Sequence, residues 1–193
     1  HLGTGKDWDL SRLSGGLRLL PPFGKHGSQT GEYKGCMEAL SAVRDHIVNI
    51  SQTHVVLFRG DLAVNLNLRD VFDAHLASGC GITAVCADCG YRGGSGEVRF
   101  VPDTPNTSKK MLFAGTGQAN ALSSIEVYII HKSILVDLVD WCRENGKIHF
   151  HREALVHYLD EGGTIGLYVH KGYTAHVSSI ADYYSAKIGR AHV

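Results

Sequence analysis

Gly60-Asp61 closes an apolar run in the stretch "HVVLFRGDLAVN", residues 54–65. A carboxylate at the C-terminal end of a buried strand is placed for chemistry, because open α/β sheets hold ligands and metals at that edge. Gly-Asp is also ordinary turn material, and the dipeptide alone leaves both readings open. Cys86-Ala-Asp-Cys89 has the spacing of a thiol pair for zinc or redox work. Zinc needs two further ligands at suitable spacing, and no second CxxC supplies them. A redox pair should open a helix, whereas this one ends a strand-like run, "GITAVCADC". Incidental thiols are therefore the expectation. His149-Phe150-His151 puts two imidazoles on one face of an extended segment, which is the beginning of a transition-metal pair. It shows no third ligand, so a helix start or surface position is expected. Gly3-Thr4-Gly5-Lys6 has the letters of a phosphate loop without its spacing.

The chain around these groups is of ordinary globular composition. It has 193 residues, 44% hydrophobic and 20% charged. A chain of this length buries roughly 70% of its unfolded surface, enough for one core. Lys+Arg 19 balances Asp+Glu 19, and the pI is near 7.3. That balance argues against an electrostatic nucleic-acid binder. No apolar run approaches ~20 residues, so no membrane span is expected. Five cysteines, with Cys80, Cys86 and Cys142 at apolar-compatible positions, predict reduced, mostly buried thiols and a cytoplasmic setting. The first residue is His1 rather than Met, so the natural N-terminus is expected upstream.

The elements that must position the groups follow from periodicity. Met37, Leu40, Val43, Ile47 and Ile50 predict an amphipathic helix over about 36–49. A strand over 54–59 follows. Leu68 to Ser78 reads as a helix with Val71, Phe72 and Leu76 inward and Gly79 as its stop. Residues 81–87 read as a second strand, which completes a right-handed βαβ unit with parallel strands. Gly93, Gly94 and Gly96 predict a flexible turn, and "EVRFV" a short strand. "IEVYII", 125–130, is a strand, and Ser133 to Asn145 a helix with Ile134, Leu138 and Trp141 inward and Gly146 at its C-terminus. "FHREALVHYLD" predicts a shorter helix, "TIGLYVH" and "TAHVSS" two strands, and "SIADYYSAK" a helix capped by Ser179. No internal repeat or linker divides this α/β domain.

Several stretches together resemble the sugar-nucleotide pyrophosphorylases: "HLGTGKDWDL", "GGLRLLPPFG", "GEYKGCMEAL", "VVLFRGDLAVNLNLRDVFDAH" and "GYTAHVSSIADYYSAK". More narrowly, they are similar to the GlgD-type subunit of bacterial glucose-1-phosphate adenylyltransferase. The opening carries most of that narrower likeness. The resemblance implies an α/β, Rossmann-like nucleotidyltransferase domain with a mostly parallel mixed sheet, followed by a left-handed parallel β-helix. On this reading residues 1–187 are a partial nucleotidyltransferase domain, truncated at both ends, and the β-helix is absent. Residues 188–193, "IGRAHV", depart from the family pattern and are expected to be a non-native tail. They can be read as the translation of ATC-GGA-AGA-GCA-CAC-GTC, a sequencing-adapter sequence. The reaction the family implies is attack of the glucose 1-phosphate oxygen on the α-phosphorus of ATP, releasing pyrophosphate. Such chemistry runs on positioning and charge neutralisation, supplied in the family by Mg²⁺ between two aspartates.

Residue by residue, the resemblance makes Asp61 the first metal aspartate. Tyr33-Lys34-Gly35 matches a Tyr-Arg-Gly that lines the nucleotide pocket, so Tyr33, Gly35 and Asp61 are the nucleotide-binding candidates. Ser124 matches a sugar-phosphate-contacting serine, with Glu126 where the family has glycine; an extra carboxylate there would repel an anionic ligand. His176 stands at the second metal aspartate, and imidazole suits Mg²⁺ poorly. The family's Glu-Lys-Pro is missing; "RFVPDTPN" is in its neighbourhood, and Lys109 and Lys110 follow on what reads as a loop. No residue is assigned a catalytic role. Losing a metal ligand and a phosphate cation each removes transition-state stabilisation. The expectation is a regulatory or weakly catalytic subunit. It would bind ATP, ADP-glucose or glucose 1-phosphate and pair with a catalytic homologous subunit in a heterotetramer of glycogen biosynthesis. The alternative is an active enzyme with Asp61 as metal anchor and further ligands recruited from Asp103 or Asp182.

Overall fold

The computed structural model describes residues 6, 16–17, 33–87, 98–113 and 120–189, with side chains described as far as Lys187. Gly3-Thr4-Gly5, Cys89, the glycines at 93, 94 and 96, and residues 190–193 lie outside the described residues. Elements follow in chain order: α1 (Cys36–Ala42), α2 (Arg44–Asn49), β1 (His54–Phe58), β2 (Leu62–Val64), α3 (Leu68–Ser78), β3 (Ile82–Ala87), β4 (Val98–Thr104), β5 (Thr107–Phe113), β6 (Leu122–His131), α4 (Lys132–Glu144), a π-helical turn (Phe150–Ala154), α5 (Leu155–Asp160), β7 (Ile165–His170), β8 (Thr174–His176) and α6 (Ile180–Gly189).

Among the described residues the main sheet has six strands in the order β1-β6-β3-β7-β5-β4. The α/β class and the mixed sheet are as expected. β1 and β3 do run parallel, but antiparallel β6 is inserted between them. Among the described residues only β3 and β7 are parallel neighbours. The predominance of parallel strands therefore survives as direction (β1, β3, β4 and β7 against β5 and β6) and not as pairing. β4 takes the edge of β6 that β1 leaves, through Arg99–Ser123 and Phe100–Leu122. Five strands, β6, β3, β7, β5 and β4, thus pair in a closed circuit.

The central strands alternate between two apolar layers. Ile82, Ala84 and Cys86 of β3 and Tyr128 and Ile130 of β6 join the larger core, with Met37, Ile47, Leu135, Leu138, Val139 and Leu155 from the helices. Val85, Val127 and Ile129 face the other way, onto Val71 of α3. Burial on both faces explains why β3 reads as an apolar run interrupted only by Thr83.

Local chemistry sets the ends. Asn67 caps α3 by accepting from Arg69 N–H at 3.1 Å, and Gly79 at φ 65° ends it. Glu153 Oε2 accepts from the backbone N–H of both Ile148 and His149 at 2.8 Å, which opens the π-helical turn. Ser179 caps α6 as expected: its Oγ accepts from Asp182 N–H at 3.1 Å and donates to Asp182 Oδ2 at 2.8 Å.

Three expectations are corrected. The helix over 36–49 is two helices, broken at Val43, whose φ −110° and ψ 14° leave the helical region. On α3, His75 is buried and Leu76 is 55% exposed. His75 is one turn from Val71 and its Nδ1 meets Thr83 Oγ1 at 2.8 Å, which satisfies a polar group inside. Lys109 and Lys110 lie on strand β5, which the two-residue Pro105-Asn106 connection pairs with β4. The thiols follow burial: Cys86 and Cys142 are buried, Cys80 is half-buried and Cys36 exposed, all four free. Among the described residues no helix is long and apolar enough to cross a membrane.

Candidate functional site

Beyond β1 the chain turns at Gly60-Asp61, and Arg59 and Asp61, two residues apart, meet at that turn. Arg59 Nε donates to Asp61 Oδ1 at 2.9 Å and Nη2 to Oδ2 at 2.5 Å, a two-pronged ion pair. The third nitrogen, Nη1, reaches Glu126 Oε2 at 3.3 Å. One guanidinium therefore spans two carboxylates. Its hydrogen bonds hold the Asp61 carboxyl below the ordinary carboxylate range, with its charge adding to the effect. Asp61 in turn holds Arg59 more firmly protonated.

The short β2–β8 ladder brings the opposite wall. Leu62 pairs with His176, and Val177 N–H donates to the Asp61 carbonyl at 2.8 Å. His176 Nδ1 comes to 3.8 Å from Asp61 Oδ1, with its side chain 7% exposed. The two positions that the resemblance assigns to the metal acids are thus brought face to face, one as carboxylate and one as imidazole.

Glu126 owes its place to a bulge. Val85 of β3 faces Val127 of β6, but Cys86 faces Ser124, so Ile125 and Glu126 are extra on β6. Glu126 takes φ 60°, the left-handed region that glycine adopts freely and other residues at a cost. The carboxylate aims at Arg59 with its side chain 11% exposed. The guanidinium offsets the repulsion expected of Glu126 toward an anion. Ser124 is 2% exposed, and its hydroxyl is spent inside: it meets the Tyr128 hydroxyl at 3.0 Å and accepts from Glu126 N–H at 3.0 Å. It fastens the bulge, and it is Glu126 that reaches the cleft.

That cleft, about 370 Å³, has Arg59, Glu126 and His151 on its walls, with Phe58, Tyr128 and Phe150. His151 Nε2 is buried with no hydrogen-bond partner among the described residues. Burial holds this imidazole below its ordinary value, against the pull of Glu126. His149 is exposed and precedes the π-helical turn, so the His149/His151 pair is the helix start expected of it. Tyr33 lines a different depression, with Arg44, Cys142 and Lys147. Gly35 has a reason inside the protein: a Cβ there would lie 2.2 Å from the Ile148 carbonyl oxygen. The structure brings together Asp61, His176 and, through Arg59, Glu126; Gly35 packs on Ile148 next to Cys36, which lines the cleft with Arg59 and Glu126. Arg59 was missed by sequence reasoning, although an arginine directly before the Gly60-Asp61 turn was a usable signal.

The Mg²⁺ that the resemblance implies can be tested on the donors. Both Asp61 oxygens are engaged by Arg59, the facing group is imidazole, and Glu126 shares the same guanidinium. Magnesium demands oxygen ligands in near-octahedral array. Among the described residues no group of three or more His, Cys, Asp or Glu side chains is placed to hold a metal ion. Asp103 accepts from Thr107 Oγ1 at 2.8 Å within the β4–β5 turn, and Asp182 serves the α6 cap. This donor set does not fit the ion.

The chain combines a mixed α/β sheet with a cleft at the end of β1, and the relatives it resembles are adenylyltransferases. It is 24% identical over 189 residues to the glucose-1-phosphate adenylyltransferase of Lachnospira eligens, covering 97% of this chain and 44% of that protein. Over 192 residues it is 26% identical to the glucose-1-phosphate adenylyltransferase of Clostridium acetobutylicum, and over 194 residues 23% identical to that of Bacillus subtilis. Each of these two alignments covers 97% of this chain and 50% of the relative. No family model matches the chain. The chain is related to the glucose-1-phosphate adenylyltransferases and spans half or less of the length of these relatives.

Proposed function

We propose that this chain is part of a GlgD-type regulatory subunit of glucose-1-phosphate adenylyltransferase, weakly catalytic at most by itself. It acts in glycogen biosynthesis by assembling with a catalytic homologue, in a cytoplasmic heterotetramer, and biasing that partner's conformation. Modulation of this kind needs only that assembly or ligand binding favour one state of the partner. The residues form a nucleotidyltransferase-type portion, with Asp61 held beside its cleft by Arg59 and a β-helix elsewhere in the complete protein. ATP, ADP-glucose and glucose 1-phosphate are the ligands in view.

The observation that carries the reading is the Arg59 fork. Two carboxylates share one internal cation, and the acid expected opposite Asp61 is His176. Without a metal to gather nucleotide and sugar phosphate, the transition state lacks its main charge stabilisation. The experiment is pyrophosphate release from ATP, glucose 1-phosphate and Mg²⁺, measured for the full-length protein, for a catalytic homologue, and for both co-expressed. The expected result is no turnover alone and a changed kcat or KM for the pair. Robust turnover by the full-length protein alone overturns the reading, and so does a pair that behaves as the homologue does by itself.

A further inference from the structure

We propose that Arg59 is a built-in counter-cation that keeps divalent ions out of the Asp61 site. The inference rests on reading Asp61 as the metal side of a nucleotidyltransferase-type cleft. Four observations carry it. The guanidinium uses three nitrogens on two carboxylates, at 2.9 and 2.5 Å on Asp61 and 3.3 Å on Glu126. Arg59 is tethered two residues from Asp61, so pairing is intramolecular, and a free ion must compete with a very high effective concentration. Glu126 adopts φ 60° at a bulge, which brings the second carboxylate within reach of the same guanidinium. His176, 3.8 Å from Asp61, closes the opposite side with a nitrogen that a hard cation accepts poorly.

A divalent ion entering this site must displace the guanidinium or sit beside it. Displacement strands a half-buried positive charge, and coexistence sets three positive charges against two carboxylates. Either way entry is opposed without any steric block. Removing the guanidinium reverses the balance, because two carboxylates left unneutralised close together attract a dication.

The experiment is Mn²⁺ binding to the full-length protein, read by the electron paramagnetic resonance signal of free Mn²⁺. Wild-type protein is expected to show no Asp61-dependent binding up to about millimolar Mn²⁺. Arg59→Gln, with unchanged circular dichroism, is expected to gain affinity by about tenfold or more. Adding Asp61→Asn to that variant should remove the gain. Arg59→Lys keeps the charge without the fork and should remain close to wild type; it stands in if Arg59→Gln fails to fold, and strong Mn²⁺ binding by it overturns the inference. Wild-type binding that Asp61→Asn abolishes also overturns it, as does a folded Arg59→Gln that gains nothing. The two readings fail distinguishably: Asp61-dependent Mn²⁺ binding by the wild type overturns Arg59's role and the metal-free argument for weak catalysis, whereas a missing effect on the homologue overturns partner modulation and leaves the Mn²⁺ result standing.

Discussion

Ser124→Ala separates a binding role for this serine from a structural one. The Ser124 hydroxyl accepts from Glu126 N–H and meets the Tyr128 hydroxyl, both at 3.0 Å, in a position 2% exposed. Alanine leaves the amide and the phenol without that partner. Tyr128 is itself only 1% exposed, so water cannot readily replace the lost oxygen. Each buried group left unsatisfied costs about 1–2 kcal/mol, and the pair together about 2–3 kcal/mol. For a protein of this size that lowers Tm by about 5–10 °C. Urea unfolding followed by intrinsic fluorescence gives the free energy, with the slope expected to stay constant. A Tyr128→Phe cycle should show that the two positions are coupled by about 0.5–1.5 kcal/mol. If Ser124→Ala unfolds within about 0.5 kcal/mol of wild type, the hydroxyl does not hold the bulge and the reasoning fails. A stable variant with weakened ATP or glucose 1-phosphate binding would instead favour the ligand role.

The remaining predictions concern the same framework. Asp61 has a depressed folded pKa, so its contribution to stability is complete above the ordinary value near 3.8 and is lost as pH falls through the lower folded value. Urea midpoints of wild type should therefore fall on acidification below about pH 4 more steeply than those of Asp61→Asn. Arg44 forks onto Asp140 at 2.5 and 2.6 Å and ties α2 to α4, with both side chains about three-quarters buried. Asp140→Asn should lower Tm in thermal unfolding, and an unchanged Tm would show the fork to be inert. Gly35→Ala must displace the Ile148 backbone and should cost about 1–3 kcal/mol, measured in the same way. A neutral result there would mean that the segment shifts freely and that Gly35 answers to something other than packing.

Much of the framework could be read from residue order because single elements carry their own signals. α3 has a capping Asn67 and a terminating Gly79, and α4 repeats its apolar residues at helical spacing. β3 is apolar except for Thr83 because both of its faces are covered. β5 was hidden: "TSKKMLF" has adjacent lysines, both exposed, and its pairing depends on β4 and β7 rather than on its own pattern. The insertion of β6 between β1 and β3 was equally out of reach, since pairing partners distant in sequence leave no local mark. At the site, Asp61 and His176 were legible through resemblance, and the ladder of β2 and β8 explains their meeting. The Arg59–Glu126 contact needed the bulge at 125–126, which no periodicity announces.

The closed circuit of strand pairings has a practical consequence for handling the protein. Sheet edges are where chains template one another into aggregates. The β4–β5 hairpin masks two of them at once, one on β6 through Arg99 and Phe100 and one on β7 through Thr107 and Ser108. Trimming that hairpin to make a smaller version would uncover both strands in a single cut and invite precipitation. Truncation and tagging should spare residues 98–113.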